Sequence, residues 1–261
     1  MRILALLLCA VGLYGQSIPM GSVGPSGGDP CPTPLLEMTV GSGSATWDGS
    51  DGSGTATLTG TTIQEDPAMS STYVLDMDGT NDDFRLGTGV DNLAAGAGFG
   101  ASMWVRQDVY EATTGQTATF LIKGEVGASN LGWQFQSTIA STGRLAFTVR
   151  NTSDQNENWA TNDNVWDPFV GLSTYTHVGF KASGCATMAC SVTIYINGSP
   201  VTTNLNADQT GTPKDDSTYT LMGGTLGNAA NDLDARVTGI QLFGEAPSDD
   251  CFASLHSGGR P

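Results

Sequence analysis

The sequence predicts an all-β protein: two antiparallel sheets packed as a sandwich, with one short C-terminal helix. Three observations carry that expectation. Apolar residues alternate with a period of two along many short segments, the segments break at Gly, Asn and Asp clusters, and no amphipathic run of helical length interrupts them. The clearest stretch is STYTHVGFKASGCATMACSVTIYINGSPV, from Ser173 to Val201, which reads as two strands joined by a turn. Val178, Phe180 and Ala182 share one face, and His177, Gly179 and Lys181 the other. On the return strand Val192, Ile194 and Ile196 alternate with Thr193, Tyr195 and Asn197. Cys185 and Cys190 bracket the turn, close enough to be bridged. Asn197-Gly198 supplies the positive-φ pair of a second tight turn, so a third strand is expected near Val201.

In chain order, the first segment is MRILALLLCAVGLYGQS: one Arg, an apolar run from Ile3 to Tyr14, then small and polar residues. That order is the order of a secretory signal, and the run is too short to span a bilayer comfortably. Residues 1–16 are therefore expected to be a targeting segment, with no membrane span left after its removal. Residues 17–34 are Gly/Pro/Ser-rich and read as a linker or arm, and 35–261 as one domain. Without Cys9, four cysteines remain (Cys31, Cys185, Cys190 and Cys251), an even number that suits an oxidising, extracellular compartment. The strand candidates then follow: LLEMTV, TATLTG, TYVLDMDG, DFRLGTG, GASMWVR, ATFLIKG, GWQFQST, RLAFTVR, the hairpin, YTLMGG and ARVTGIQLFG. The tail PSDDCFASLHSGG is the expected helix, with Ser248 as cap, Asp249 and Asp250 at its positive end and Gly258 at its close.

Composition narrows the partners. A net charge of -16 argues against nucleic acid and anionic membrane surfaces. The acids are mostly Asp in turn-like clusters, which turn chemistry explains in large part.

Seven of these pieces, in order, resemble a known family. VLDMDGTNDDFRLG, FGASMWVR, FLIKGE, GRLAFTVR, STYTHVGF, VTIYINGSPV and YTLMGG are similar to the laminin-G-like, concanavalin-A-like lectin and glucanase domains. The resemblance covers Leu35 to His256 and implies that the sandwich is a jelly roll. Jelly rolls bring their first and last strands side by side, which implies a Cys31–Cys251 bridge in addition to Cys185–Cys190. Three departures stand out: Val237-Thr238-Gly239 replaces the family's acidic pair, Tyr175 replaces its usual Trp, and the insertion NTSDQNENWATNDNVWDPFVG separates two matched strands.

The candidate chemistry follows from residue types. His177 and His256 are the only histidines, with no nucleophile signature near either. The E-x-D-x-E run that related β-glucanases use is missing, so no enzyme is expected. Asp76, Asp78, Asn81, Asp82 and Asp83 could offer calcium several oxygens, as calcium-containing family members do; the alternative is a plain polar turn. Trp159 and Trp166, with Asn158 and Asn162, could form an aromatic and amide ligand site in the insertion. The alternative is that both tryptophans fold back as core. Trp104 and Trp133 read as core or sheet-face residues. The expected role is a secreted, non-catalytic module binding glycans or an extracellular protein. A self-assembling structural surface protein, such as a virion decoration or appendage subunit, is the competing expectation.

Overall fold

The computed structural model describes residues 31–49, 52–69, 72–87, 98–109, 117–124, 131–138, 142–207, 210–214, 221–224 and 233–258. The expected targeting segment and most of the arm lie outside these residues.

Among the described residues eighteen strands follow one another in chain order. The first seven are β1 (Leu36–Val40), β2 (Ala45–Gly49), β3 (Gly52–Thr55), β4 (Thr57–Thr59), β5 (Thr62–Asp66), β6 (Thr72–Asp78) and β7 (Asp83–Gly87). The middle group is β8 (Phe99–Gln107), β9 (Thr117–Gly124), β10 (Leu131–Thr138), β11 (Leu145–Arg150), β12 (Asn156–Thr161), β13 (Thr176–Ser183) and β14 (Ser191–Ile196). The last are β15 (Ser199–Val201), β16 (Thr203–Ala207), β17 (Leu221–Gly224) and β18 (Asp234–Phe243), followed by helix α1 (Asp249–Ser257).

They form two antiparallel sheets. One runs β15-β14-β13-β8-β18-β1-β2-β3, with β6 also paired to β18 and β5 to β6. The other runs β16-β12-β11-β10-β9-β17-β7-β4. First and last strands pair directly, Leu36 opposite Leu242. This is the jelly-roll sandwich that the resemblance implied, with the expected α-helix at the C-terminal end.

The hairpin forms as its alternation requires. Val178 pairs with Ile196 and Phe180 with Ile194, and Val178, Phe180 and Ala182 are wholly buried. Asn197 and Gly198 take φ of 50° and 74° at the β14–β15 turn. The inner faces of the sheets meet in an aromatic centre: Phe147 and Phe180 lie 4.4 Å apart, flanked by Phe99 and Trp133. Burying side chains of this size contributes a few kcal/mol each, which offsets the ordering of a Gly- and Thr-rich chain.

Two sequence expectations change. The insertion between Asn151 and Gly171, which contributed no strand candidate, holds one: Asn156–Thr161 is strand β12, between β11 and β16. Strands β2, β3 and β5 extend the first sheet from segments with too few apolar residues to show an alternating rhythm.

Both disulfides are present. Cys31 joins Cys251, 220 residues apart, and Cys185 joins Cys190. The first ties the chain before β1 to the first turn of α1. Ser248 caps that helix, its side chain accepting from the Cys251 N–H at 3.0 Å. Helix α1 lies on the outer face of the first sheet, where Phe252 stacks on Tyr195 at 3.9 Å. Asp249 ties the same end to Lys181 and Tyr195.

Candidate binding groove

The expected ligand residues do not share one surface. On β12 the strand period sends Trp159 inward and Asn158 outward. Trp159 is 5% exposed and packs 6.2 Å from Phe147. Trp166 is fully buried, its Nε1 donating to Gln107 Oε1 at 2.7 Å, and it packs edge-on against Phe120. Gln107 Oε1 also accepts from Ser137 Oγ at 3.1 Å, so the indole caps a satisfied internal polar pair. Neither ring offers a face to a ligand, and the aromatic-platform expectation is corrected: the tryptophans are core. Asn158 donates to Thr148 Oγ1 at 2.9 Å, and Asn162 accepts from Asn204 at 2.7 Å. Both therefore belong to side-chain amide bonding across the second sheet.

The acidic turn is divided in a similar way. Asp76 accepts from Arg236 Nε at 2.8 Å, and the buried Asp83 accepts from Arg85 Nε at 3.2 Å. Asp82 accepts from the Asp78 N–H, Asp78 accepts from the Thr80 N–H at 3.0 Å, and Asn81 takes φ 59°. Burial, with the neighbouring Asp78 charge, pushes the Asp82 carboxyl up to about 6. Asp76 and Asp83 thus each accept from an arginine, Asp83 Oδ2 stays buried without a partner, and Asp78 and Asp82 shape their own turn. Among the described residues no three His, Cys, Asp or Glu side chains converge as a metal set.

A second ionic centre lies on the outer face of the first sheet. Asp66, 2% exposed, accepts from Arg236 Nη1 (2.8 Å), Arg106 Nη1 (3.0 Å), Tyr175 OH (3.0 Å) and the Ala68 N–H (2.9 Å). Burial works against its charge, but those donors outweigh it and hold the carboxyl below its ordinary value. Burial and then the Asp66 contact push the Tyr175 hydroxyl up, so it stays protonated as a donor. The Tyr that replaces the family's usual Trp thus serves as a structural hydrogen-bond donor.

The open site lies beside this centre. β18 pairs through Asp234–Val237 with β6, and through Gln241 and Leu242 with β1. Between those pairings its register with β8 shifts from Thr238 to Gln241, and Gly239 takes φ 59°. This is a β-bulge at the point where one edge of β18 passes from one partner to another. It turns both Thr238 and Gln241 toward the outer face and leaves a groove of about 400 Å³. Thr238, Gly239 and Ser102 line it from the middle strands, and Glu37 and Thr39 from β1. Trp104 and His177 line it together with Ser254 and Leu255 of α1.

The aromatic wall is ordered by stacking. Trp104 stands opposite His177 across the β8–β13 pair, ring centroids 5.1 Å apart, and His256 of α1 lies 5.6 Å from Trp104. Burial, and then the neighbouring His256, push His177 down to about 4, so its ring is uncharged at neutral pH. The Nδ1 atoms of both histidines are buried without a hydrogen-bond partner. On the opposite rim Gln241 Nε2 donates to Glu37 Oε1 at 3.2 Å. The groove thus offers hydroxyls, an amide and one carboxylate above a floor made by the buried Trp104–His177 pair. Sequence reasoning missed it; its one local signal is Gly239 inside an otherwise alternating strand, the mark of a bulge.

Topology and packing define a lectin-type jelly-roll sandwich. The chain belongs to the concanavalin A-like lectin/glucanases superfamily, whose family model matches residues 78–250. No curated relative matches the chain. Among solved structures it is similar to the binding domain of Paraclostridial Mosquitocidal Protein 1, at 12% identity and a TM-score of 0.63, covering 87% of this chain and 52% of that one. It is also similar to the binding domain of Botulinum Neurotoxin DC in complex with SialylT, at 15% identity and a TM-score of 0.61, covering 86% and 51%. The chain spans about half the length of these structures. At such identities the likeness is one of fold.

Proposed function

We propose that this chain is a secreted, non-catalytic recognition module, and that the groove beside β18 is its glycan-binding site. The groove carries the reading. It places hydroxyl, amide and carboxylate groups for a sugar's hydroxyls around a cleft of ligand size, over a floor formed by the buried Trp104–His177 pair. Membership of a lectin and glucanase superfamily supports a saccharide ligand, as does a similarly folded binding domain in complex with SialylT. The two disulfides and the charge–apolar–small order of residues 1–16 support secretion. Glu37 on β1 and Asp48 on β2 stand on exposed positions, each already engaged by an amide. That suits hydrogen bonding to a ligand better than acid–base work.

The test is glycan-array binding followed by calorimetry on the intact protein, with Thr39→Trp and Ser254→Trp to fill the groove from its two exposed rims. Both variants should melt like the parent and lose affinity by about tenfold or more. Unchanged affinity in both would move the site elsewhere. Release of new reducing ends from the bound glycan would overturn the non-catalytic role.

A further inference from the structure

The groove does not end at β1. Glu37 and Thr39 also line a second cavity, of about 380 Å³, on the far side of that strand. Its other walls are Thr33 and Pro34 before β1 and Asp48 and Gly49 at the end of β2. Because β1 alternates, Leu36, Met38 and Val40 point into the core while Glu37 and Thr39 stand exposed between the two lobes. The pair forms a low ridge with one lobe on each side. A single compact ligand fills one lobe; a chain of linked units lies across the ridge and uses both.

The charge pattern restricts the kind of chain. The charged side chains lining the two lobes are Glu37 and Asp48, which are register partners on neighbouring strands. No Lys or Arg is among the described lining residues. The chain as a whole carries a formal charge of -16. An anionic ligand would meet two carboxylates with no partner cation in a strongly negative field, whereas an ammonium group would meet a ready counter-charge.

We propose that the two lobes form one extended site for a linear saccharide whose units are uncharged or cationic, amino sugars in particular, with Glu37 on the ridge as their shared polar contact. This rests on the glycan-binding reading above and adds the length and charge of the ligand.

The probes are glucosamine tetramer and dimer, their N-acetylated counterparts, and a heparin-derived tetrasaccharide, titrated into the intact protein. Tetramers should bind about tenfold or more tighter than dimers, and the heparin fragment should not bind. Glu37→Gln should weaken the glucosamine tetramer by about tenfold and the N-acetylated tetramer by no more than about threefold. Raising salt from about 50 to about 300 mM should weaken the cationic probe alone. Asp48→Trp, which obstructs the second lobe, should reduce tetramer affinity to that of the dimer. If no saccharide binds, here or on the array, the glycan-binding reading falls and this proposal falls with it. If saccharides bind but dimers match tetramers, or the heparin fragment competes, or Asp48→Trp changes nothing, the extended cationic-tolerant site is wrong while the glycan-binding reading stands.

Discussion

His177 faces away from the sandwich core and is still only 1% exposed, because α1 closes over that face of β13. Its folded value of about 4 lies below the ordinary 6.5. Between those two values the unfolded chain binds a proton that the folded chain refuses, so stability falls as pH drops from about 6.5 toward 4, by at most about 3 kcal/mol. Asp82 acts in the opposite sense. Its folded value of about 6 lies above 3.8, so its contribution to stability rises as pH falls through the same window. The melting temperature of the parent should therefore change only gently between pH 7 and pH 4. Asp82→Asn should steepen the acid-side loss, and His177→Gln should reverse its sign. The slope against pH is the quantity to measure, since either variant can shift the absolute value. Parallel slopes in all three proteins would contradict this account. At the same scale, the one-residue step from Asn158 to Trp159 shows the limit of sequence reading. Residue types alone suggested a shared aromatic and amide site, but once Asn156–Thr161 is a strand, neighbours must face opposite ways.

Helix α1 was legible from its ends: Ser248, two aspartates and Gly258 are local signals, and the helix runs from Asp249 to Ser257. Its seat was not legible, because it is assembled from distant strands. A Cβ at Gly179 would stand 2.6 Å from the Phe252 ring and 2.7 Å from the Ala101 carbonyl oxygen. One at Gly100 would meet the Pro247 ring at 2.6 Å and the Phe180 oxygen at 2.7 Å. The absent side chains let the helix lie close enough for Phe252 to stack on Tyr195. Gly179→Ala is expected to cost about 1–3 kcal/mol, because a backbone carbonyl cannot yield as a flexible side chain can. Amide exchange in 249–257 should accelerate in the same variant, since the helix must lift to make room. A variant that melts and exchanges like the parent would mean that the seat has slack. The bulge in β18 was hidden for a related reason. Val237-Thr238-Gly239 reads from sequence as a departure from the family's pattern, and its effect on Thr238 and Gln241 depends on which strands β18 joins.

Across the whole molecule the strand rhythm identified the sandwich, because burying one face of each strand imposes a period of two wherever that strand lies. The groove follows no such rule. Glu37, Thr72, Ser102, His177, Gln241 and Ser254 come from six separate segments and meet only because β1 and β18 close the jelly roll and α1 folds back over the seam. The Cys31–Cys251 bridge locks that closure, holding the chain before β1 against the helix that walls the groove. In the chain-entropy model a loop of this length contributes about 5 kcal/mol, against about 2 for the short Cys185–Cys190 loop. The paired variant Cys31→Ala, Cys251→Ala should thus lower the melting temperature more than Cys185→Ala, Cys190→Ala. It should also weaken saccharide binding, because freeing both ends of the closure loosens β1 against α1. The hairpin pair should leave affinity unchanged, since Cys185 and Cys190 do not line either lobe. Equal melting in the two double variants would show that the strands and the Phe252 contact close the molecule without the bridge. Loss of binding in the hairpin variant alone would place the recognition surface at the other end of the sandwich.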